Sequence, residues 1–501
     1  MLEGIPILSL VILVPLVGAF VTFGLGRFGK HARVVALAFS AVAFLLSLLM
    51  TYEFATDPTS EATGYHNGYQ FYEEYPWVDS LGVSYIVGID GISLPLFVLT
   101  TLLCMLSVLF SWDTDKRPAQ YFGLMLILEV GVLGVFVSLD YFMFYVFWEV
   151  VLIPMYFMIG IWGGPRKDYA SIKFFIYTHV ASLALLIAIM AMYFEAGLRT
   201  FSMEAIATES VGFATGVQVA IFAAMFFAFG VKLPMVPFHT WLPDAHVEAP
   251  TAGSVLLAGL LLKMGGYGII RVAIPSLPEG ASELSILMAV IGVVSIVYGA
   301  MLCLAQKDLK KMVAYSSISH MGFVLLGFAT LGQVGVVAGV FQMFAHGLVT
   351  AVLFMMCGVV QHKCGTRMIP LLGGLAKSMP IAATFMTFGF LASLGLPGLV
   401  SFAAEFMVFY ATFVKWSLWV LIPVVAVAVT AAYYLWALQR SIFGPMTDRI
   451  DTSHLKDMDW FEYVPVGVLV VLIAVFGVFP GLIFSRIDSA VEIVLRLFGG
   501  G

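Results

Sequence analysis

Five ionisable residues lie inside or beside long apolar stretches of this sequence, where lipid or buried helix faces would surround them. They are Glu129, Glu149, Lys232, Lys263 and Glu405. A charged side chain at the bilayer centre costs at least about 2.5–3.5 kcal/mol, so each one requires a reason. Loss of water generally lowers the pKa of lysine and raises that of glutamate, which brings both residue types toward neutral pH. A series of such groups predicts a proton relay.

Two histidines extend this series. His320 (YSSISHMG) and His346 (FQMFAHGLVT) lie in successive apolar segments, between Lys263 and Glu405 in chain order. Histidine changes charge near neutral pH and is a natural step for protons. A lone membrane histidine is more often a hydrogen-bonded packing residue, and haem ligation by the pair is a less favoured alternative. Two histidines beside a serine cluster favour a hydrated path.

Three further histidines have more than one interpretation. His239 and His246 lie near one boundary of the membrane and serve either proton uptake or helix capping. His179 is ambiguous. For the charged residues the alternative is structural ion pairing, with Glu149 and Lys232 neutralising each other between helices.

Helix breakers interrupt two of the apolar segments. The stretch FGVKLPMVPF places Pro234 and Pro237 just after Lys232, and SLGLPGLVSFAAEF places Gly395 and Pro397 before a glutamate. Proline ends or kinks a helix, which frees carbonyl groups and admits water. A kink used only for packing would explain the prolines but not the lysine. We therefore expect discontinuous helices of the kind that transporters use at the bilayer midplane.

The composition defines the class of protein that must hold these groups in place. Of 501 residues, 61% are hydrophobic and 11% are charged, whereas soluble domains carry about 25% charged residues. About 20 apolar residues cross a bilayer, and fourteen such segments can be counted. We predict an all-α polytopic membrane protein of about 14 transmembrane helices, with two inverted five-helix repeats (spans 4–8 and 9–13) and broken helices 7 and 12. No basic patch for nucleic acid is present.

The spans divide the chain into four regions. Residues 1–112 hold three spans and a polar outer loop at 53–82, residues 113–275 the first repeat, residues 276–441 the second repeat, and residues 442–501 an inner loop and span 14. Lys and Arg concentrate in the loops after odd-numbered spans, which hold sixteen of them including Lys310, against five on the opposite side including Arg271. By the positive-inside rule, both termini are expected on the non-cytoplasmic side of the plasma or inner membrane.

The cysteines and glycines do not predict a cofactor site. Cys104, Cys303, Cys357 and Cys364 form no Cys-x-x-Cys pair, so neither iron–sulfur nor zinc ligation is indicated. No Gly-rich dinucleotide loop follows a strand. We expect no cofactor and no metal in this chain.

Five stretches between about residues 85 and 440 resemble the M-type antiporter-like membrane subunit of complex I-type NADH:quinone oxidoreductases. They read VGIDGISLPL, FWEVVLIPMYFMIGIWGG, FGVKLPMVPFHTWLPDAHVEAPTAGSVLLAGLLLKMGGYG, QKDLKKMVAYSSISHMG and SLGLPGLVSFAAEF. Glu405 stands where the sister L-type and N-type chains typically carry lysine. The sequence also stops after the fourteenth span, without the lateral helix of the L-type chain.

The resemblance implies a role for each residue of the series. Glu149 matches the acid of the fifth helix, Lys232 its partner on the broken seventh helix, Lys263 the central lysine of the eighth, and Glu405 the terminal acid. His320 and His346 match the polar positions that bridge the last two, and Glu129 matches an accessory acid. Flavin, iron–sulfur clusters and quinone would lie in partner subunits, which include L-type and N-type chains and a peripheral redox arm.

Two other functions stay open. The large chain of a multi-subunit cation/proton antiporter shares these motifs and needs no electron donor. A membrane anchor of a hydrogenase-like complex would use its charges only to hold helices together. The length of the chain and the M-type sequence of the motifs favour the complex I-like subunit over the antiporter. The spread of charges over both predicted repeats disfavours the anchor. The electron donor, whether NADH, reduced deazaflavin or ferredoxin, stays open.

Overall fold

The computed structural model describes residues 4–26, 29–54, 68–445 and 455–496. In this part of the chain, thirteen helical stretches are long and apolar enough to cross a membrane. The first helices are α1 (Ile7–Gly24), α2 (Gly29–Glu53), α3 (Ser93–Phe110), α4 (Pro118–Val137), α5 (Tyr141–Val150), α6 (Leu152–Trp162), α7 (Lys167–Ala196), α8 (Met203–Ser210), α9 (Thr215–Lys232), α10 (Trp241–Glu248) and α11 (Thr251–Leu256). The others are α12 (Leu262–Tyr267), α13 (Ile274–Ser276), α14 (Pro278–Leu304), α15 (Leu309–Ala329), α16 (Gln333–Cys364), α17 (Leu375–Ser378), α18 (Pro380–Ser393), α19 (Val400–Trp416), α20 (Leu421–Leu438), α21 (Trp460–Val478) and α22 (Gly481–Leu495). The predicted helical membrane architecture is confirmed.

A β-hairpin follows the second span, where the sequence predicted only a polar loop over 53–82. Strand β1 (Gln70–Val78) pairs antiparallel with β2 (Val83–Ile89), and Tyr75 stands opposite Tyr85. The residues of β1, QFYEEYPWV, are rich in aromatic side chains, which favour strands. We name this end of the bundle the hairpin end. The opposite end, which carries Lys116, Arg166 and Arg367, is the basic end.

The seventh span is discontinuous. Helix α9 ends at Lys232 and α10 begins at Trp241, with Pro234 and Pro237 between them. The indole nitrogen of Trp241 donates a hydrogen bond to the carbonyl of Val231 at 3.0 Å. This bond satisfies one carbonyl at the end of α9, next to the lysine.

The twelfth span is also broken, and its second half runs on toward the thirteenth. Helix α18 ends at Ser393 and α19 begins at Val400. The apolar stretch Val400–Phe443 has 44 residues, about 66 Å of helix, which is too long for one crossing of a hydrocarbon core of about 30 Å. A 3₁₀ turn at Ser417–Val420 separates α19 from α20, and Ser417 has a φ of 52° there. Each of the fourteen predicted segments therefore corresponds to a helix.

Three spans form the centre of the bundle. The eighth span, Thr251–Ser276, is entirely buried. In the most apolar part of α15, and likewise of α16, 94% of the residues are buried. Two glycines allow the eighth span to approach α16, since a Cβ on Gly347 would lie 3.1 Å from the carbonyl oxygen of Gly259. Polar residues on these three spans therefore face protein, not lipid.

Asp140 fixes the start of the fifth span. Its carboxylate accepts the backbone N–H groups of Phe142 at 2.9 Å and Met143 at 3.0 Å, which caps α5. Burial raises the pKa of Asp140 to about 6, against the lowering effect of these hydrogen bonds. The capped start holds Glu149 on the last turn of α5.

Candidate functional site

Lys263 and His346 meet at the centre of the bundle. The ammonium nitrogen of Lys263, on α12, lies 2.6 Å from Nδ1 of His346, on α16. It also donates to the carbonyl of Ala258, which belongs to a π-helical turn at Leu257–Leu261. Such a turn leaves carbonyl groups partly free and often marks a functional site. Both side chains are buried, so this contact is shielded from lipid and bulk water.

His320 continues the series from His346. The centroids of the two imidazole rings lie 5.6 Å apart. Nε2 of His346 has no hydrogen-bond partner among the described residues. Because buried polar atoms are normally satisfied by protein or ordered water, a water between the two rings is expected.

Glu405 closes the series beyond His320. Its Oε1 lies 3.2 Å from Nδ1 of His320, which is ion-pair distance although the two atoms are not aligned as a hydrogen bond. Nε2 of His320 lies 3.1 Å from the hydroxyl of Ser393, and that hydroxyl lies 2.6 Å from the hydroxyl of Tyr434. The imidazole is thus oriented from both sides.

The break in the twelfth span makes room for this carboxylate. Gly395 has a φ of 80°, a left-handed conformation that side chains rarely adopt. A Cβ at this position would lie 2.8 Å from Oε2 of Glu405. Glycine is therefore required here both by the backbone conformation and by the close approach of the glutamate.

We name the series Lys263, His346, His320 and Glu405 the lateral row. The first three lie near the middle of the helical stretches Thr251–Ser276, Gln333–Cys364 and Leu309–Ala329. Glu405 lies on the second turn of α19, just after the break of its span. The row therefore runs from one span to the next at similar depth, not from one face of the membrane to the other.

Lys232 and Glu149 do not form the ion pair that the structural alternative required. The ammonium nitrogen of Lys232 has no hydrogen-bond partner among the described residues and lies 4.8 Å from the ring centroid of Trp148. Oε2 of Glu149 lies 3.2 Å from Nδ1 of His179. A cation over an aromatic ring gains some stabilisation, but no carboxylate of the described residues lies within ion-pair distance of the lysine.

His179 is a neighbour that sequence reasoning left without a role. Its ring stacks on Phe175 at 5.4 Å and presents Nδ1 to Glu149. The two residues are 30 positions apart on neighbouring spans. Their apolar surroundings were readable from the sequence, but their proximity depends on how α5 packs against α7.

The accessory residues occupy separate places. Glu129 is buried on α4, and neither carboxylate oxygen has a partner among the described residues. His246 stacks on Phe354 of α16 at 4.5 Å, and both of its ring nitrogens lack partners in this part of the chain. His239 lies edge-on to Tyr298, with ring centroids 5.4 Å apart. Among the described residues, none of the three makes a hydrogen bond to the lateral row, and all three need water to satisfy their polar atoms.

Two cations that the sequence placed in loops are buried. Lys310 is 3% exposed, and its ammonium donates to the carbonyl of Ala249 at 2.6 Å, at the basic end. Arg271 is 7% exposed and pairs with Asp90 and with the hydroxyl of Tyr69. Both lie within a turn or two of a helix end, which is where span boundaries read from hydropathy are least accurate.

In the described part of the chain, no group of three or more His, Cys, Asp or Glu side chains is placed to hold a metal ion. The four cysteines are free and buried. The polar chemistry of the centre is that of proton donors and acceptors.

Residues 138–431 match the family described as NADH:quinone oxidoreductase/Mrp antiporter, transmembrane, and the chain belongs to this family. The chain is 43% identical to F(420)H(2) dehydrogenase subunit M of Methanosarcina mazei, over 99% of both sequences. It is 40% identical to NADH-quinone oxidoreductase subunit M of Rhodobacter capsulatus, over 97% of this chain and 95% of the relative. Among solved structures, it is similar to a chain of respiratory complex I from Thermus thermophilus with bound NADH. That similarity has a TM-score of 0.88 and 29% identity, over 98% of this chain and all of the other.

Proposed function

We propose that this chain is the M-type proton-translocating membrane subunit of a complex I-like oxidoreductase, and that the lateral row carries its protons. The observation that carries the proposal is the succession of close contacts from Lys263 through His346 and His320 to Glu405. Every member can gain or lose a proton, and each lies within one water molecule of the next. Full-length similarity to two chains named subunit M supports the assignment.

Proton movement along the row follows from the donors and acceptors. The ammonium of Lys263 gives a proton to Nδ1 of His346, and the ring releases another from Nε2 toward His320. The protonated imidazole of His320 is stabilised by the carboxylate of Glu405, which accepts the proton at Oε1. Glu405 then releases it toward the hairpin end, and the row returns to its starting state when Lys263 is reloaded.

Lys232 and Glu149 act as the control element of this transfer. A buried lysine without an anionic partner gives up its proton more readily than a paired one. Here Lys232 stands over Trp148, while Glu149 faces His179. Approach of Glu149 to Lys232 would favour the loaded state, and separation would favour release toward Lys263. Glu129, His239 and His246 serve this path as accessory and uptake groups.

The redox chemistry belongs to partner subunits. The two relatives named above have similar identity to this chain, yet their names specify different electron donors, F(420)H(2) and NADH. This fits a subunit that carries no flavin, iron–sulfur cluster or quinone and leaves the donor to other chains. The expected partners are L-type and N-type chains, a peripheral redox arm and lipid, with no nucleic acid.

The location and the internal symmetry stay predictions. We place the chain in the plasma or inner membrane with both termini on the non-cytoplasmic side, on the distribution of Lys and Arg. The division into spans 4–8 (residues 113–275) and spans 9–13 (residues 276–441) is supported by the matched breaks at Pro234 and Pro397.

The membrane-anchor alternative is weakened by the unpaired charges. Residues that only hold helices together must be paired, because an isolated buried charge is destabilising. Lys232 and both oxygens of Glu129 have no hydrogen-bond partner among the described residues. The antiporter alternative predicts pumping without an electron donor, and the experiment below distinguishes it.

The test uses the intact complex in sealed membrane vesicles. Lys263→Met removes the charge and keeps the shape, and Lys377→Met, at an exposed position, is the matched control. We expect Lys263→Met to lower donor-driven electron transfer and the proton gradient together by a factor of about 100 or more, as for loss of a positioned acid–base group. Glu149→Ala and Lys232→Ala should assemble and lower both quantities too. Wild-type pumping by Lys263→Met would overturn the proposal, and cation-driven proton flux without a donor would favour the antiporter.

A further inference from the structure

A polar cavity opens at the basic end of the bundle. It has a volume of about 170 Å³ and lies where α3, α4, α11, α16 and α21 meet. Its polar lining includes Ser111, Asp113, Tyr121, Thr251, His362 and Glu462. None of these residues belongs to the lateral row. A cavity of this size and polarity has room for several waters.

His362 stands between two carboxylates at the wall of this cavity. Its Nδ1 lies 3.3 Å from Oε1 of Glu462, and its Nε2 lies 4.0 Å from Oδ2 of Asp113. The His362 side chain is 55% exposed, whereas Glu462 is only 3% exposed. One face of the imidazole therefore meets the aqueous phase, and the other meets a buried acid.

The charges around His362 have a net negative balance. Lys363 lies 3.2 Å from Oε2 of Glu462 and 2.5 Å from Asp459. The hydrogen bond from Lys363 holds the pKa of Asp459 below its ordinary value, so Asp459 stays ionised. Lys456 also lies near enough to Asp459 to lower its pKa, so three carboxylates, Asp113, Asp459 and Glu462, face two lysines, and Tyr121 is a further titratable group on the cavity wall. A negative mouth attracts protons and other cations from solution.

The seam between the eighth span and α16 leads from this cavity to the lateral row. At the cavity, Gly358 is so close to Thr251 that a Cβ would lie 2.5 Å from its side chain. Further along α16, Phe354 carries the stacked ring of His246. His346 follows about 12 Å beyond Phe354, and His362 lies about 12 Å in the other direction, at 1.5 Å of rise per residue.

His246 is therefore level with the midpoint of the seam. It is fully buried, and neither ring nitrogen has a partner among the described residues. A buried imidazole with two unsatisfied nitrogens requires water on both sides. The position and the unmet hydrogen bonds mark it as the intermediate between cavity and row.

We propose that this cavity is the mouth through which protons reach the lateral row, and that His362 collects them. His362 takes a proton from water of the aqueous phase on Nε2 and releases one from Nδ1 toward Glu462 and the cavity water. His246 accepts it and passes it by water to Lys263. No bond other than N–H and O–H forms or breaks. The proposal rests on the proposed function, since a mouth has meaning only if the row conducts.

The test compares two histidine variants of the full complex in sealed vesicles. His362→Gly removes the collecting group, and His31→Gly, an exposed position at the same end that does not line the cavity, is the matched control. We expect His362→Gly to pump like the wild type in mildly acidic medium and to fall by about tenfold in mildly alkaline medium, where protons are scarce. Added imidazole should restore the alkaline rate, because it can occupy the space of the lost ring.

Each outcome decides the proposal. An unchanged pH profile for His362→Gly, or a loss that imidazole does not restore at any pH, overturns it. If His362→Gly fails to assemble, His362→Gln is measured instead. Asp113→Asn is a second variant, and we expect it also to lower the pumping rate in mildly alkaline medium. Failure of the proposed function is distinguishable, because Lys263→Met would then pump normally whatever the behaviour of His362.

Discussion

The ammonium nitrogen of Lys263 lies 2.6 Å from Nδ1 of His346, across the seam between the eighth span and α16. An ammonium group has donors only, so the imidazole nitrogen must accept when the lysine is charged. The geometry therefore allows Lys263 and His346 to share one proton at this contact.

This sharing predicts strong non-additivity between the two residues. Lys263→Met and His346→Gln should each lower pumping sharply, and the double variant should be no worse than the more severe single variant. Groups that act together behave in this way, whereas independent groups add. The measurement is the proton flux per turnover of the wild type, the two single variants and the double variant. Losses that multiply would show that the two residues act separately.

Gly395 and Gly398 offer a matched pair for the role of the helix break. Both have positive φ, 80° and 88°, so alanine strains the backbone similarly at either position, by about 1 kcal/mol or more. Only Gly395 lies against Glu405; a Cβ on Gly398 would meet nothing within 4 Å. Gly395→Ala should therefore lower pumping well below the level of Gly398→Ala at similar amounts of assembled complex. Equal activity in the two variants would contradict a positioning role for the break.

Asp140 predicts a pH dependence of stability with a definite sign. Its pKa is about 6 in the folded chain and 3.8 ordinarily, so the folded state holds the proton to higher pH. Stability then falls as pH rises from about 4 to about 6, because the carboxylate ionises at a cost in the buried site. Asp140→Asn keeps a good helix cap and should remove this fall. The measurement is the thermal unfolding midpoint of the complex at about pH 4 and about pH 6, for the wild type and for Asp140→Asn. Asp79→Asn, at an exposed position, is the control. An Asp140→Asn complex that differs from the wild type by the same amount at both pH values would refute the prediction.

Asp90 and Arg271 form a buried pair that links the start of α3 to the end of the eighth span. Asp90 also accepts the backbone N–H groups of Ile92 and Ser93, at 3.0 and 2.9 Å. Arg271→Met leaves this carboxylate buried without its cation, which typically costs about 3–5 kcal/mol. We expect little assembled complex from Arg271→Met and partial recovery when Asp90→Asn is added. Recovery is measured as the amount of complex in the membrane, and no difference between the single and double variants would show that the pair is not stabilising.

The sequence predicted the spans better than their mutual arrangement. Hydropathy and proline positions locate the breaks after Lys232 and before Glu405, because membrane crossing and helix propensity are local properties. The contact between Lys263 and His346 joins residues 83 positions apart, and the pairing of Glu149 with His179 depends on side-chain direction at a helix interface. No local pattern contains that information.

The β-hairpin was missed for a different reason. Its first strand lies inside the polar region 53–82 that was read as a loop, although Tyr72, Tyr75 and Trp77 in β1 favour a strand. Lys310 and Arg271 were misplaced because hydropathy does not distinguish a cation at the end of a span from one in the adjoining loop. Both residues lie where a long side chain can reach backbone carbonyls or an acid inside the bundle.

The similar depth of Lys263, His346 and His320 has an electrical consequence. A charge that crosses the whole membrane potential exchanges about 2.3 kcal/mol per 100 mV, but one that moves parallel to the membrane plane crosses almost none of it. Hops along these three residues are therefore insensitive to voltage. The opposing potential of an energised membrane acts instead on the two vertical steps, uptake at the basic end and discharge beyond Glu405, and the rates of those steps carry the voltage dependence of transport.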